Sequence, residues 1–193
     1  MNYILLGAAG FFSMHLLDFV SMKKVPYLKP VFSLFGTAFI VMAATMVAIN
    51  GGQFGLASWV SAAGWVLLVL FAGLTVYSLY FALPLGKTYV KLGTSDKLVT
   101  SGVYALVRHP WLLFFALAMI GLALGSRSTL AAEAGLAWTA FSAILVYLQD
   151  QKIFPRMFPG YADYQKTTPM LLPNRNSVTA FIEGLKRNKV PEV

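Results

Sequence analysis

Cysteine is absent from this chain of 193 residues, and histidine occurs only twice. Without cysteine there are no disulfides, no thiolate metal ligands and no cysteine nucleophile. The histidines, His15 and His109, lie far apart in sequence, so no metal-binding spacing stands out and no metal site is expected. Lysine and arginine are also missing before Lys23, whereas a secretory signal peptide carries positive charge ahead of its apolar core. We therefore expect a retained first helix.

Charge is scarce as well. Charged residues make up only 11% of the chain and hydrophobic residues 58%, whereas ordinary soluble domains contain about 25% charged residues. A soluble protein of this size could not bury so much apolar surface, so the composition predicts an all-α, polytopic membrane helix bundle. About five transmembrane helices are expected: Asn2 to Ser21, Val31 to Asn50, Ser58 to Leu83, Trp111 to Gly125 and Thr129 to Gln149.

The basic residues are distributed unevenly between the segments that join these helices. Of the 15 lysines and arginines, only Arg127 falls on the side of the bilayer that holds the turn between the fourth and fifth helices. Because basic residues favour the cytoplasmic side, we expect the N-terminus outside and the C-terminal segment in the cytoplasm. The short connections between the helices favour a prokaryotic plasma membrane, and an endoplasmic-reticulum membrane is the alternative. The net charge of +8 then reflects topology, and no nucleic-acid partner is expected.

The fourth and fifth helices are joined only by Ser126, Arg127 and Ser128. So short a connection predicts a tight antiparallel hairpin. In the fourth helix, Gly121 and Gly125 have the spacing of small residues that lets one membrane helix pack closely on another.

The C-terminal tail has a pattern of its own. Apolar residues recur there at helical spacing, with Asn176 or Ser177 placed to cap the helix. These residues are Val178, Phe181, Ile182 and Leu185. Basic residues follow, which predicts an amphipathic helix on the membrane surface. We divide the chain into N-terminal transmembrane helices (1–83), a region with the candidate site (84–173) and this basic tail (174–193).

The strongest polar cluster precedes the fourth helix. Arg108 and His109 stand directly before the apolar residues, and Pro110 takes the first helical turn, where proline is well tolerated. A helix N-terminus favours anionic groups, and the forked guanidinium of Arg108 suits a carboxylate or phosphate. From these residues alone, a functional site and a pair of interfacial anchors explain Arg108 and His109 equally well.

The stretch Leu98 to Tyr104, followed by Arg108 to Pro110, resembles the C-terminal signature of the isoprenylcysteine carboxyl methyltransferase and phospholipid methyltransferase superfamily. Asp150, at the end of the last helix, and the spaced Tyr161 and Tyr164 follow in the order of that family. Its members are polytopic membrane enzymes that use S-adenosylmethionine. The resemblance therefore implies a methyltransferase with this cofactor and a lipid-like or prenylated small-molecule acceptor.

The resemblance also implies roles for individual residues. The catalytic residues would be Arg108, His109 and Asp150. The cofactor pocket would be lined by Asp96, Lys97, Leu98, Val99, Gly102, Tyr104, His109, Pro110, Trp111, Leu112 and Asp150. Tyr104 would face the sulfonium by a cation–π contact, Arg108 would hold the carboxylate, and Asp150 would hold the ammonium group or a ribose hydroxyl. In-line methyl transfer needs alignment and exclusion of water more than acid–base chemistry.

The chain departs from the family pattern at three positions. Leu112 stands where the family usually has tyrosine, and Gln151 replaces the second glutamate of an acidic pair. Val146 stands where the prenylcysteine branch has an arginine that meets the substrate, which argues against a prenylcysteine carboxylate. Two alternatives remain open. One is a membrane reductase of related fold, whose nicotinamide cofactor Arg108 and nearby lysines would bind, and the other is a non-catalytic membrane protein.

His15 and Asp18 form a second pair of ionisable residues, in the first helix. At a spacing of i, i+3 they share one helix face. They would either form a buried pair that specifies packing or line a path for substrate or protons, and packing is the simpler interpretation.

Overall fold

The computed structural model describes residues 2–23, 28–83 and 98–187. The α-helices in these ranges are α1 (Asn2–Lys23), α2 (Leu28–Asn50), α3 (Ser58–Val76), α4 (Val103–Leu106), α5 (Pro110–Ser126), α6 (Thr129–Leu148), α7 (Phe154–Met157), α8 (Tyr161–Thr167) and α9 (Arg175–Arg187). Apart from an isolated antiparallel bridge between Gln53 and Ser128, the described residues form no β-structure. The prediction of an all-helical protein is confirmed for this part of the chain.

Three stretches of helix are long and apolar enough to cross a membrane: Leu28–Asn50, Ser58–Phe81 and Thr129–Met157. The apolar helices Asn2–Leu17 and Pro110–Ser126 are shorter. Large apolar side chains stay exposed on the long helices, as Val66 and Val69 do on α3. Such a surface suits lipid rather than water, so the chain has the character of a membrane protein.

Four of the long helices pack as two close pairs. Helix α1 packs mainly on α2, and α3 packs mainly on α5, while α6 contacts α5, α1 and α2. Glycines allow both close approaches: a Cβ atom on Gly36 would lie 3.0 Å from the Gly10 carbonyl oxygen, and one on Gly121 would lie 2.9 Å from the Gly64 carbonyl oxygen. The predicted packing role of Gly121 is confirmed, and Gly125 likewise packs against Trp65 of α3.

The hairpin between α5 and α6 is as tight as predicted. Arg127 ends α5 in the left-handed conformation, with a φ of 58°. The hydroxyl of Ser128 then caps α6 by accepting from the Ala131 amide at 3.1 Å, and it donates to the Val47 carbonyl at 2.6 Å. The turn is thereby fixed to the end of α2, and Gly51 lies against Ser128 where no Cβ atom would fit.

Helix α9 begins slightly earlier than the tail pattern predicted. The Asn174 side chain accepts from the Ser177 amide at 2.9 Å, and the Ser177 hydroxyl accepts from the Asn174 amide at 3.0 Å. Asn174 is therefore the capping residue, and the expectation that Asn176 or Ser177 would cap was wrong because this reciprocal pair fixes the start at Arg175. Helix α9 packs on α4, and its position on a membrane surface stays a prediction.

Candidate active site

Two π-helical turns shape the site where membrane helices end. Tyr77–Phe81 follows α3, and Gln149–Ile153 follows α6. Such turns change the hydrogen-bond register of a helix and recur at functional sites. The Ser78 carbonyl, in the first turn, accepts from the Tyr104 hydroxyl at 2.9 Å. Asp150, in the second, is fully buried. The sequence predicted a plain helix through the first turn, and it predicted that the fifth helix ends at Gln149, where the second turn begins.

Arg108 and Asp150 form a forked ion pair in the interior. Nε of Arg108 donates to Oδ1 of Asp150 and Nη2 donates to Oδ2, both at 2.8 Å. Nη1 donates to the carbonyl of Gln165 at 3.2 Å and to that of Thr168. Most of the guanidinium donors are thus used within the protein, and both buried charges are compensated.

The Asp150 carboxylate also accepts hydrogen bonds from four other side chains. Tyr161 donates to Oδ1 at 2.6 Å, and the amides of Gln151 and Gln165 donate to Oδ2 at 3.0 Å each. Nε2 of His109 lies 3.2 Å from Oδ1 and must donate there, because a carboxylate only accepts. Burial lowers the pKa of His109 and raises that of Tyr161, so both act as neutral donors.

The segment after α8 closes the site from the C-terminal side. The backbone amide of Arg108 donates to the Pro169 carbonyl at 2.9 Å, and that of His109 donates to the Met170 carbonyl at 3.2 Å. The Tyr164 hydroxyl donates to the Tyr104 carbonyl at 2.5 Å. These bonds bring the separate pieces of the sequence signature together in space.

A cavity of about 690 Å³ lies between the two helix pairs. Its apolar wall follows α2 from Thr37 to Ile49 and α3 from Trp65 to Val76. At the α-helical rise per residue, the distance along α2 from Thr37 to Ile49 is ~18 Å. At its polar end the wall is made by Tyr104, Arg108 and His109. This volume is typical of pockets for small molecules.

Aromatic rings surround His109 at that end. The His109 ring stacks on Phe154 with centroids 5.6 Å apart and planes 14° from parallel. Phe154 in turn meets the rings of Phe158 at 5.4 Å and Tyr161 at 5.5 Å. Phe154 and Phe158 were missed in the sequence, although their i, i+4 spacing beside the tyrosines was a usable signal. Aromatic faces of this kind attract cations.

The structure brings several of the predicted pocket residues together around the cavity. Those on its described wall are Leu98, Val99, Tyr104, Arg108, His109 and Trp111. Those outside that wall are Gly102, Pro110, Leu112 and Asp150. Leu112 packs instead in the hydrophobic core with Phe115 and Trp138. The predicted pocket residues Asp96 and Lys97 lie outside the described residues.

Comparisons with known proteins identify the family of the chain. The phospholipid methyltransferase family matches residues 59–159, which include Arg108, His109 and Asp150. The nickel-cobalt-cadmium resistance protein NccN of Alcaligenes xylosoxydans xylosoxydans is 31% identical over 139 residues, which is 69% of this chain and 62% of that protein. No solved structure matches the chain. Since the family match spans more than half of the sequence, the chain belongs to the phospholipid methyltransferase family.

Proposed function

We propose that the protein is an integral membrane methyltransferase that depends on S-adenosylmethionine and acts on a hydrophobic or lipid-like acceptor at the cytoplasmic face. Membership of the phospholipid methyltransferase family supports methyl transfer as the reaction. The observation that carries the proposal is the continuous cavity, which joins the apolar faces of α2 and α3 to the polar cluster around His109.

The residues at the polar end fit the proposed cofactor. The rings of Tyr104, Phe154 and Tyr161 line the cavity, and aromatic faces suit a sulfonium cation. When bound, S-adenosylmethionine supplies an electrophilic methyl group on a positively charged sulfur. The chain's own residues would hold and align it, and the apolar wall would exclude water from the reacting atoms.

The acceptor is proposed to reach the site from the bilayer. Helix α2 packs mainly on α1, and α3 mainly on α5, so the apolar cavity separates α2 from α3. At the polar end the hydroxyls of Thr37 and Tyr80 lie 3.0 Å apart and join α2 to the π-helical turn that follows α3. Arg108, the arginine on the described wall, is already paired with Asp150. The described wall therefore favours a neutral acceptor group over a carboxylate.

The name of the related protein mentions resistance to nickel, cobalt and cadmium. The residues described here contain no group of three or more His, Cys, Asp or Glu side chains that could hold a metal ion. Metal binding is therefore not part of this proposal.

The proposed topology has five membrane spans, an external N-terminus and a cytoplasmic tail, supported by the placement of the basic residues. Because the chain has no cysteine, an engineered single cysteine reports on which side of the membrane its position lies. A membrane-impermeant maleimide should label Gln53→Cys in intact bacterial cells, and should label Asp163→Cys only after lysis. Both positions are exposed. The reverse pattern would overturn the topology.

Calorimetric titration of the purified protein tests the cofactor. We expect saturable binding of S-adenosylmethionine, weaker binding in Tyr104→Leu because an aromatic face for the sulfonium is lost, and unchanged binding in the surface variant Asp163→Asn. NADPH is titrated in parallel. Binding of NADPH alone would replace the proposal with a reductase, and binding of neither ligand would favour a non-catalytic protein.

A further inference from the structure

His15 of α1 is a polar residue on the wall of the same cavity. Its ring centroid lies 5.9 Å from that of Trp111. Its Nε2 atom is buried and has no hydrogen-bond partner among the described residues. Buried polar atoms in proteins are nearly always paired, so an unpaired imidazole nitrogen on a residue that lines a cavity is a candidate partner for a ligand.

The other nitrogen of the His15 ring is already engaged. The Gln149 side chain, which also lines the cavity, hydrogen-bonds His15. Because Nε2 is unpaired, we assign this bond to Nδ1, and the tautomer that carries its proton on Nδ1 leaves a free lone pair on Nε2. His109 differs, since its Nε2 donates to Asp150. His15 is therefore the cavity histidine whose Nε2 is free to accept. The side chain of Asp18, its predicted partner, lies outside the described residues.

We propose that Nε2 of His15 receives the hydrogen-bond donor of the methyl acceptor, an O–H or N–H group at the head of a hydrocarbon chain. This inference rests on the proposed function. In the transfer, the acceptor heteroatom forms a bond to the methyl carbon, and the carbon–sulfur bond breaks with its electron pair kept by sulfur. The acceptor proton moves to Nε2 of His15. A residue of α1, outside the family match at residues 59–159, would thus complete the site.

The remaining cavity wall supports an acceptor of this kind. Met14 of the same helix and Ile40 of α2 also line the cavity, and the wall continues along apolar positions of α2 and α3. A hydrocarbon chain can lie along that wall while its polar head meets His15. The Arg108 charge is neutralised by Asp150, so the described wall offers a hydrogen-bond acceptor at His15 rather than a free cation.

The test compares dodecanol with dodecyl methyl ether, which has the same chain but no hydrogen to donate. Both are titrated calorimetrically into the full-length protein in nanodiscs. We expect the wild type to bind the alcohol roughly two- to tenfold more tightly than the ether, as one buried hydrogen bond provides. His15→Phe should abolish this preference because it keeps a ring but removes Nε2. Met14→Leu, a neighbouring change in the same wall, should keep the preference.

A wild type without the preference, or a His15→Phe variant that keeps it, would overturn the inference. If the phenylalanine variant does not fold, His15→Leu makes the same comparison. S-adenosylhomocysteine is titrated into the same samples. Alcohol preference without S-adenosylhomocysteine binding would sink the proposed function and leave the His15 site standing. S-adenosylhomocysteine binding without any alcohol preference would sink the His15 site alone.

Discussion

Replacing Asp150 by alanine is expected to lower the free energy of unfolding by about 3–5 kcal/mol, the usual cost of leaving a buried charge without its partner. The Arg108 side chain is only 7% exposed and that of Asp150 is fully buried. The change would also leave the donors of Tyr161 and Gln165 without their carboxylate. Reversible unfolding of the purified protein by a denaturing detergent measures the loss against wild type.

The chain offers a matched control for this prediction. Asp163 pairs with Lys166 at the same 2.8 Å, but these side chains are 81% and 73% exposed. Asp163→Ala should therefore leave the unfolding transition unchanged, because water screens and replaces an exposed pair. A double variant, Arg108→Met with Asp150→Leu, should recover much of the stability lost in Asp150→Ala, since no charge stays unpaired. If Asp150→Ala and Asp163→Ala had the same free energy of unfolding, the predicted stabilising role of the Arg108–Asp150 pair would be contradicted.

The position of Asp150 also affects how the Asp150→Ala variant should be interpreted. The resemblance assigned Asp150 to the cofactor, yet in the structure its carboxylate accepts from five side chains and lies behind His109 and Tyr161. Loss of ligand binding in Asp150→Ala would therefore follow from a displaced Arg108 and Tyr161 as readily as from a lost ligand contact. Activity of this variant alone cannot identify Asp150 as a catalytic residue.

Much of the architecture was predictable because it depends on local patterns. Long apolar stretches identified the three helices that are long and apolar enough to cross a membrane, and the short link through Arg127 required a hairpin. The spacing of Gly121 and Gly125 predicted a close helix contact, although the sequence did not identify α3 as the partner. Patterns of this kind repeat along one helix, so a single segment carries the information.

The arrangement of the site was less predictable because it depends on contacts between distant segments. No sequence periodicity marks the π-helical turns at Ser78 and Asp150, which are places where distant segments meet. Arg108 was expected to bind a ligand, but its guanidinium instead pairs with Asp150, which lies 42 positions away in sequence. His15 looked like half of a packing pair, and only the folded chain places it beside the cavity that His109 also lines.

His109→Ala is expected to reduce methyl transfer by about 100-fold, the cost of misplacing reacting groups by a small distance, while the protein stays folded. The variant removes the ring that stacks on Phe154 and lines the cavity. The variant keeps the hydrogen bond from the backbone amide of residue 109 to the Met170 carbonyl, and it keeps the ion pair between Arg108 and Asp150. Transfer is measured as tritiated methyl label carried from S-adenosylmethionine into total membrane lipid, and folding is measured by the unfolding transition.

A glutamine at the same position separates two explanations for that loss. In His109→Gln the amide nitrogen can still donate to Asp150, but the ring that forms the cavity wall is gone. If His109 acts through its ring, the glutamine variant is as inactive as the alanine variant. If it acts only by holding Asp150, glutamine restores transfer and His109 becomes a positioning residue. Full transfer by His109→Ala would remove His109 from the active site altogether, because neither its ring nor its hydrogen bond would then be needed.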